Sequence, residues 1–178
     1  MSRQYFSKPG ALQMRHFSLN TIFASLLTAL VLFTSAATAS DLASQPGWSA
    51  VKSQHDYATL VKRVNEAAKA HKIGIVTRAS ATVGAAKVLN KKIPGNMIVG
   101  LYHPRFAIPM LEASIASGIE APIRVYITEN SDGSATLSYK KPSTVFAPYM
   151  KEGGDKLKNL ATELDTLFAS LVKQASGK

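Results

Sequence analysis

Cysteine is absent from the 178 residues. Its absence removes disulfides, thiolate metal sites, thioether haem attachment, a nucleophilic thiol and the acylated cysteine of a lipoprotein, so the domain must stand on its hydrophobic core. Acidic residues are scarce, with 11 Asp and Glu against 21 Lys and Arg, and the formal net charge is +10. None of the acids precedes Asp41, whereas Arg3, Lys8 and Arg15 do; setting those three aside leaves +7 on the remainder. Such a balance favours anions, acidic partners or anionic surfaces, and it says nothing of chemistry. A basic helix, an aromatic ladder interleaved with Lys and Arg, and a nucleic-acid reader motif are all missing, so no nucleic-acid partner is expected.

Catalytic and metal-site spacings are missing as well. His55, His71 and His103 show no HxH, HxxH or HExxH arrangement, and no metal is expected. Met97, Met110 and Met150 with His103 could suggest a soft copper site, but Met97 falls in an apolar strand and Met110 on a helix face, where core filling is the simpler role. No Ser sits in GxSxG, and the carboxylates form no pair that differs from ordinary helix and turn surface. Cofactors are therefore unknown, and catalysis is left open.

The apolar run Thr21 to Phe33 follows the basic leader and ends in small residues, Ala37-Thr38-Ala39. That order reads as a secretory signal peptide over residues 1–39, cleaved after Ala39, with translation starting at Met1 or Met14. At 13 residues the run is short for a bilayer span, so a periplasmic or secreted protein without a span after cleavage is expected. Residues 40–47 read as a tether. Residues 48–178 read as one α+β domain, since the chain is too short for two comfortable cores.

Within that domain, strands are expected at Trp48 to Ser53, Gly74 to Ala79 and Asn96 to Tyr102, with helices at Asp56 to His71 and Thr82 to Leu89. Pro104 suits the first turn of a helix running to about Ser117 and stopped by Gly118, although Pro109 inside it predicts a kink or a late start. Ile123 to Thr128, the turn Asn130 to Gly133, and Ala135 to Tyr139 form a β-hairpin. Glu152-Gly153-Gly154 separates a loop from an amphipathic helix at about 155–174 with Asp155 as N-cap; its stripe of leucines predicts burial against the sheet.

The hairpin region, Ala121 to Val145, resembles a known family, domain of unknown function 302: Pro122, Arg124, Glu129, Asp132, Gly133, Tyr139 and Pro142 follow its order. Gly100-Leu101-Tyr102-His103-Pro104 stands where the family has a Gly-Asn-Pro-like turn, and the likeness reaches from about Trp48 to Phe146. Arg78-Ala79 replaces an acidic-His pair of many members, and His103 replaces the Asn. The resemblance implies a curved antiparallel sheet of about five strands with helices on one face, as in the TATA-binding-protein-like class. It implies no activity, and likeness to a DNA binder implies no DNA.

Two places attract attention as ligand sites. At the strand-to-helix junction Tyr102-His103-Pro104-Arg105, unpaired helix donors with His103 and Arg105 could hold an anion, or the residues could form a capped loop. Arg124 points with Tyr126 and Thr128 to the strand face opposite Ile123, Val125 and Ile127. With Tyr139 these make the candidates Tyr102, His103, Arg105, Arg124 and Tyr139. The leading expectation is a non-enzymatic domain that binds a small anionic or amphipathic ligand or a protein partner. Its rivals are an enzyme using His103 with Tyr102, Arg105 or Tyr139 as acid-base and anion-holding groups, and a structural homo-oligomer, for instance a homodimer joined through the exposed strand face.

Overall fold

Five strands and three helices with apolar stripes build the domain, and a computed structural model describes residues 39–178. The expected signal peptide lies outside the described residues apart from Ala39. The expected tether carries a short 3-10 turn, Ala39–Ser44, which packs beside the first and fifth strands. Strands β1 (Trp48–Asp56), β2 (Gly74–Ala79), β3 (Asn96–Tyr102), β4 (Ile123–Glu129) and β5 (Ser134–Lys140) form one open sheet. Its order is β1-β5-β4-β3-β2 and every neighbouring pair is antiparallel.

Helices α1 (Tyr57–Ala70), α2 (Ala81–Leu89), α3 (Pro104–Ala113), α4 (Pro142–Val145) and α5 (Met150–Ser176) connect and flank the strands. The core joins α1, α3 and α5 to one face of the sheet: Leu60 and Val64, Phe106 and Met110, and Leu157, Leu164, Phe168 and Leu171 meet Val99, Val125, Ile127 and Leu137. Met110 thus fills the core, and Met97 and Met150 pack against it. The fold class is α+β, a five-stranded antiparallel sheet with its helical layer on one side.

Asp56 caps α1, its carboxylate accepting the Thr59 N–H at 2.7 Å. That bond holds the Asp56 carboxyl below the ordinary range. Asp132 in the β4–β5 turn is held well below it, first by Lys52 and then by Ser134. A carboxyl whose value is lowered on folding contributes stability that is present above its unfolded value, about 3.9, and is lost as pH falls through the folded value. Asp56→Ala and Asp132→Ala are therefore expected to flatten the acid limb of thermal stability below about pH 4. Melting curves from pH 2 to 6 check this.

Three boundaries differ from expectation. Helix α3 starts at Pro104 despite Pro109, and it stops at Ala113 rather than Ser117. Ser114 takes extended backbone there; its hydroxyl donates to Glu152 at 2.8 Å, and Ser117 bonds back to Ser114, so local side-chain bonds outcompete another helical turn. The sequence Ala116–Glu120 becomes a 3-10 turn. The expected loop before α5 shrinks to one residue, because helix already runs from Met150 and only Gly154 leaves it, at φ 55° and ψ −151°. A side chain would be strained at that backbone, and Asp155 follows it as the first residue of the resumed helix rather than as the N-cap. Strand β1 also runs three residues past Ser53, with an irregular register between Lys52 and Asp56.

Candidate functional site

Strand alternation leaves a second sheet face without a helical layer, and the register fixes what stands on it. Trp48 of β1 pairs with Lys140 of β5, Tyr126 of β4 pairs with Ser138 of β5, and Arg124 of β4 pairs with Gly100 of β3. The pairing of Val125 with Tyr139 places Arg124 across from Lys140 one step further along the same ladder. One row across the sheet therefore reads Gly100, Arg124, Lys140, Trp48, and the next reads Ile98, Tyr126, Ser138, Ala50.

A groove of about 360 Å³ lies over these rows, lined by Trp48, Ile98, Arg124, Tyr126, Ser138 and Lys140 together with Glu120, Val145 and parts of Ile123 and Tyr139. This size suits a small-molecule ligand. Ser138 is fully buried on its floor, whereas Arg124 and Lys140 are exposed. Gly100 keeps the row low, since a side chain there would fall against the Thr77 hydroxyl and the Pro122 ring. Glu120 at the rim accepts the Tyr149 hydroxyl at 2.9 Å, which pushes the Tyr149 phenol up. Neither Arg124 nor Lys140 has an ion-pair partner among the described residues. Like charges set opposite each other across a ladder repel, so this pair is a local cost that an anion would offset.

The junction at His103 is arranged differently. His103 caps α3, its Nδ1 accepting the Arg105 N–H at 3.0 Å, so the helix end already has its acceptor. The Arg105 guanidinium turns away to Glu163 and lies over the Phe106 ring, 5.1 Å from its centre. Tyr102 and His103 border a cavity of only about 30 Å³, walled by Phe106, Met110, Leu164 and Phe168. That holds little more than water, and its walls are apolar. The segment carries the cap that one of its two alternatives expects.

Tyr139 contributes only part of its surface to the groove and is otherwise core. It is 3% exposed, on the helix-facing side of β5, with its ring 5.6 Å from that of Phe168. Burial pushes its phenol up, partly offset by a hydrogen bond with Ser49. The structure therefore does not bring Tyr139 together with His103 and Arg105, and Arg124 belongs to the opposite sheet face. Trp48, Tyr126 and Lys140 were missed as site residues, although the alternation that exposed Arg124 also exposed Tyr126.

Among the described residues, no group of three or more His, Asp or Glu is placed to hold a metal ion, and no helix is long and apolar enough to cross a membrane. An open antiparallel sheet with a helical layer on one face and a cationic, aromatic groove on the other defines the class: a small α+β domain with an uncovered sheet face. The chain belongs to the family described as Domain of unknown function DUF302, whose model matches residues 49–175. It is similar to the crystal structure of an uncharacterized conserved protein DUF302 from Bacillus stearothermophilus, at 15% identity and a TM-score of 0.65 over 74% of this chain and 99% of that one. No curated protein matches the chain. At this identity the likeness carries the fold alone.

Proposed function

We propose that the domain is a non-enzymatic binder of a small anionic or amphipathic ligand, held in the groove of the uncovered sheet face. The observation that carries this reading is the placement of Arg124 across from Lys140, without an acidic partner, between Trp48 and Tyr126. The two cations take the anionic head as charge-assisted donors, and the two rings with Ile98 and Val145 take its apolar body. Catalysis at His103 is disfavoured, because its Nδ1 serves the helix cap and Arg105 serves Glu163.

Trp48 is the single tryptophan of the chain, so its fluorescence reports on the groove directly. Titration with anilinonaphthalene sulfonate, an aromatic anion, is expected to quench Trp48 by energy transfer and to saturate at one molecule per chain. A chain that leaves Trp48 emission unchanged, or that binds many molecules weakly, contradicts the groove.

The reading also places the domain outside the cytoplasm, on the strength of the leader. Intact mass of the exported protein is expected to begin at Ser40. A membrane-bound species that retains residues 17–39 would contradict cleavage.

A further inference from the structure

Acidic residues vanish from about a third of the domain. Residues 67–111 carry Lys69, Lys72, Arg78, Lys87, Lys91, Lys92 and Arg105, and no Asp or Glu. Two of these cations are occupied within the fold, Arg78 by Asn65 and Arg105 by Glu163. The three lysines at the C-terminal end of α2 are exposed and have no ion-pair partner among the described residues. The acidic side chain that reaches the loop after them, Glu129, is taken by the Gly95 N–H at 2.6 Å.

Helix α2 itself is out of keeping with its surroundings. It is rich in alanine and valine, yet none of its residues is buried. Val83 is 47% exposed, Val88 81% and Leu89 71%. A helix apolar on all sides is ordinarily buried. What holds this one is polar and confined to its base: Ser80 and Thr82 donate to the carbonyls of Asn96 and Pro94, and the Asn96 N–H returns a bond to Thr82. The helix thus projects Val88 and Leu89 beside Lys87, Lys91 and Lys92.

We propose that the end of α2 docks on an anionic lipid surface, with Val88 and Leu89 entering the headgroup-acyl boundary and the three lysines pairing with lipid phosphates. Charge complementarity selects this occupant. A second copy would set lysines against lysines, and an acidic protein would match the charge without needing a bare apolar tip. A membrane surface offers both chemistries at once. The surface is separate from the groove and independent of what the groove binds.

The test is vesicle co-sedimentation with residues 39–178, because the apolar run of the leader would bind lipid by itself. This segment is a fair test protein, since every core side chain and every partly buried apolar one packed on it falls between Val51 and Ala175. The chain is expected to sediment with phosphatidylglycerol vesicles, weakly with phosphatidylcholine vesicles, and less as salt rises. At about five-fold per lysine, Lys87→Gln with Lys91→Gln and Lys92→Gln should weaken binding on the order of a hundred-fold. Val88→Ser with Leu89→Ser should weaken it about ten-fold. A control that removes three exposed lysines of α5, Lys151, Lys158 and Lys173, should bind nearly as the parent does. All variants should keep the parent's circular dichroism, since α2 supplies no core residue. No binding to phosphatidylglycerol overturns the proposal. So does an equal loss in the α5 control, which would mean net charge alone, or full binding by the Val88 and Leu89 variant, which would mean adsorption by the lysines without entry of the apolar tip.

Discussion

Replacing Phe168 with alanine is expected to lower the stability of the domain by about 3 to 5 kcal/mol. The ring is 1% exposed, packs against Tyr139 and borders the small apolar cavity beneath α3, so truncation removes buried surface and enlarges a void already present. Leu164→Ala, one turn earlier on the same stripe, should cost about 2 to 5 kcal/mol. Chemical denaturation of the three proteins measures both. Unchanged midpoints would mean that the apolar face of α5 is not core, and a partner or membrane role for that helix would become the better account.

The second large effect concerns the groove. Each charged hydrogen bond lost to an anion costs about 1.5 to 3 kcal/mol, so Arg124→Gln with Lys140→Gln should weaken anilinonaphthalene sulfonate binding by about a hundred-fold or more. The same double variant should fold at least as stably as the parent, because it relieves the repulsion between two cations placed across a ladder. Binding and stability then move in opposite directions, which a merely structural role for the pair would not produce. Trp48 emission and a melting curve on the same samples read both quantities.

Much of the fold was legible because local signals agreed with the tertiary result. Strands β2 and β3 fall on the expected residues, and α1 lies between its caps Asp56 and His71, since alternation, helical spacing and capping chemistry all act over a few residues. The early end of α3 has a long-range cause, since Ser114 bonds to Glu152, 38 residues away. Before α5 the expected break is present at Gly154, and what the sequence did not show is the short helical stretch ahead of it from Met150.

The site was less legible for a related reason. Alternation showed that Arg124 leaves the core, but Trp48 and Lys140 become its neighbours only through the order β1-β5-β4-β3, which no local pattern carries. That the ring of Tyr139 packs on the helical side follows from the register of β5 with β4, which no local pattern carries either. At the junction, Pro104 marked the helix start correctly, while the capping role of His103 and the pairing of Arg105 with Glu163, 58 residues away, were invisible.

The most direct test of the groove is a chemical-shift map of isotope-labelled residues 39–178 titrated with anilinonaphthalene sulfonate. The account predicts that the largest shifts fall on the Trp48 indole and on the amides of Arg124, Tyr126 and Lys140, and that His103 and Arg105 stay in place. Shifts centred on His103 to Arg105, with the sheet face unmoved, would contradict it.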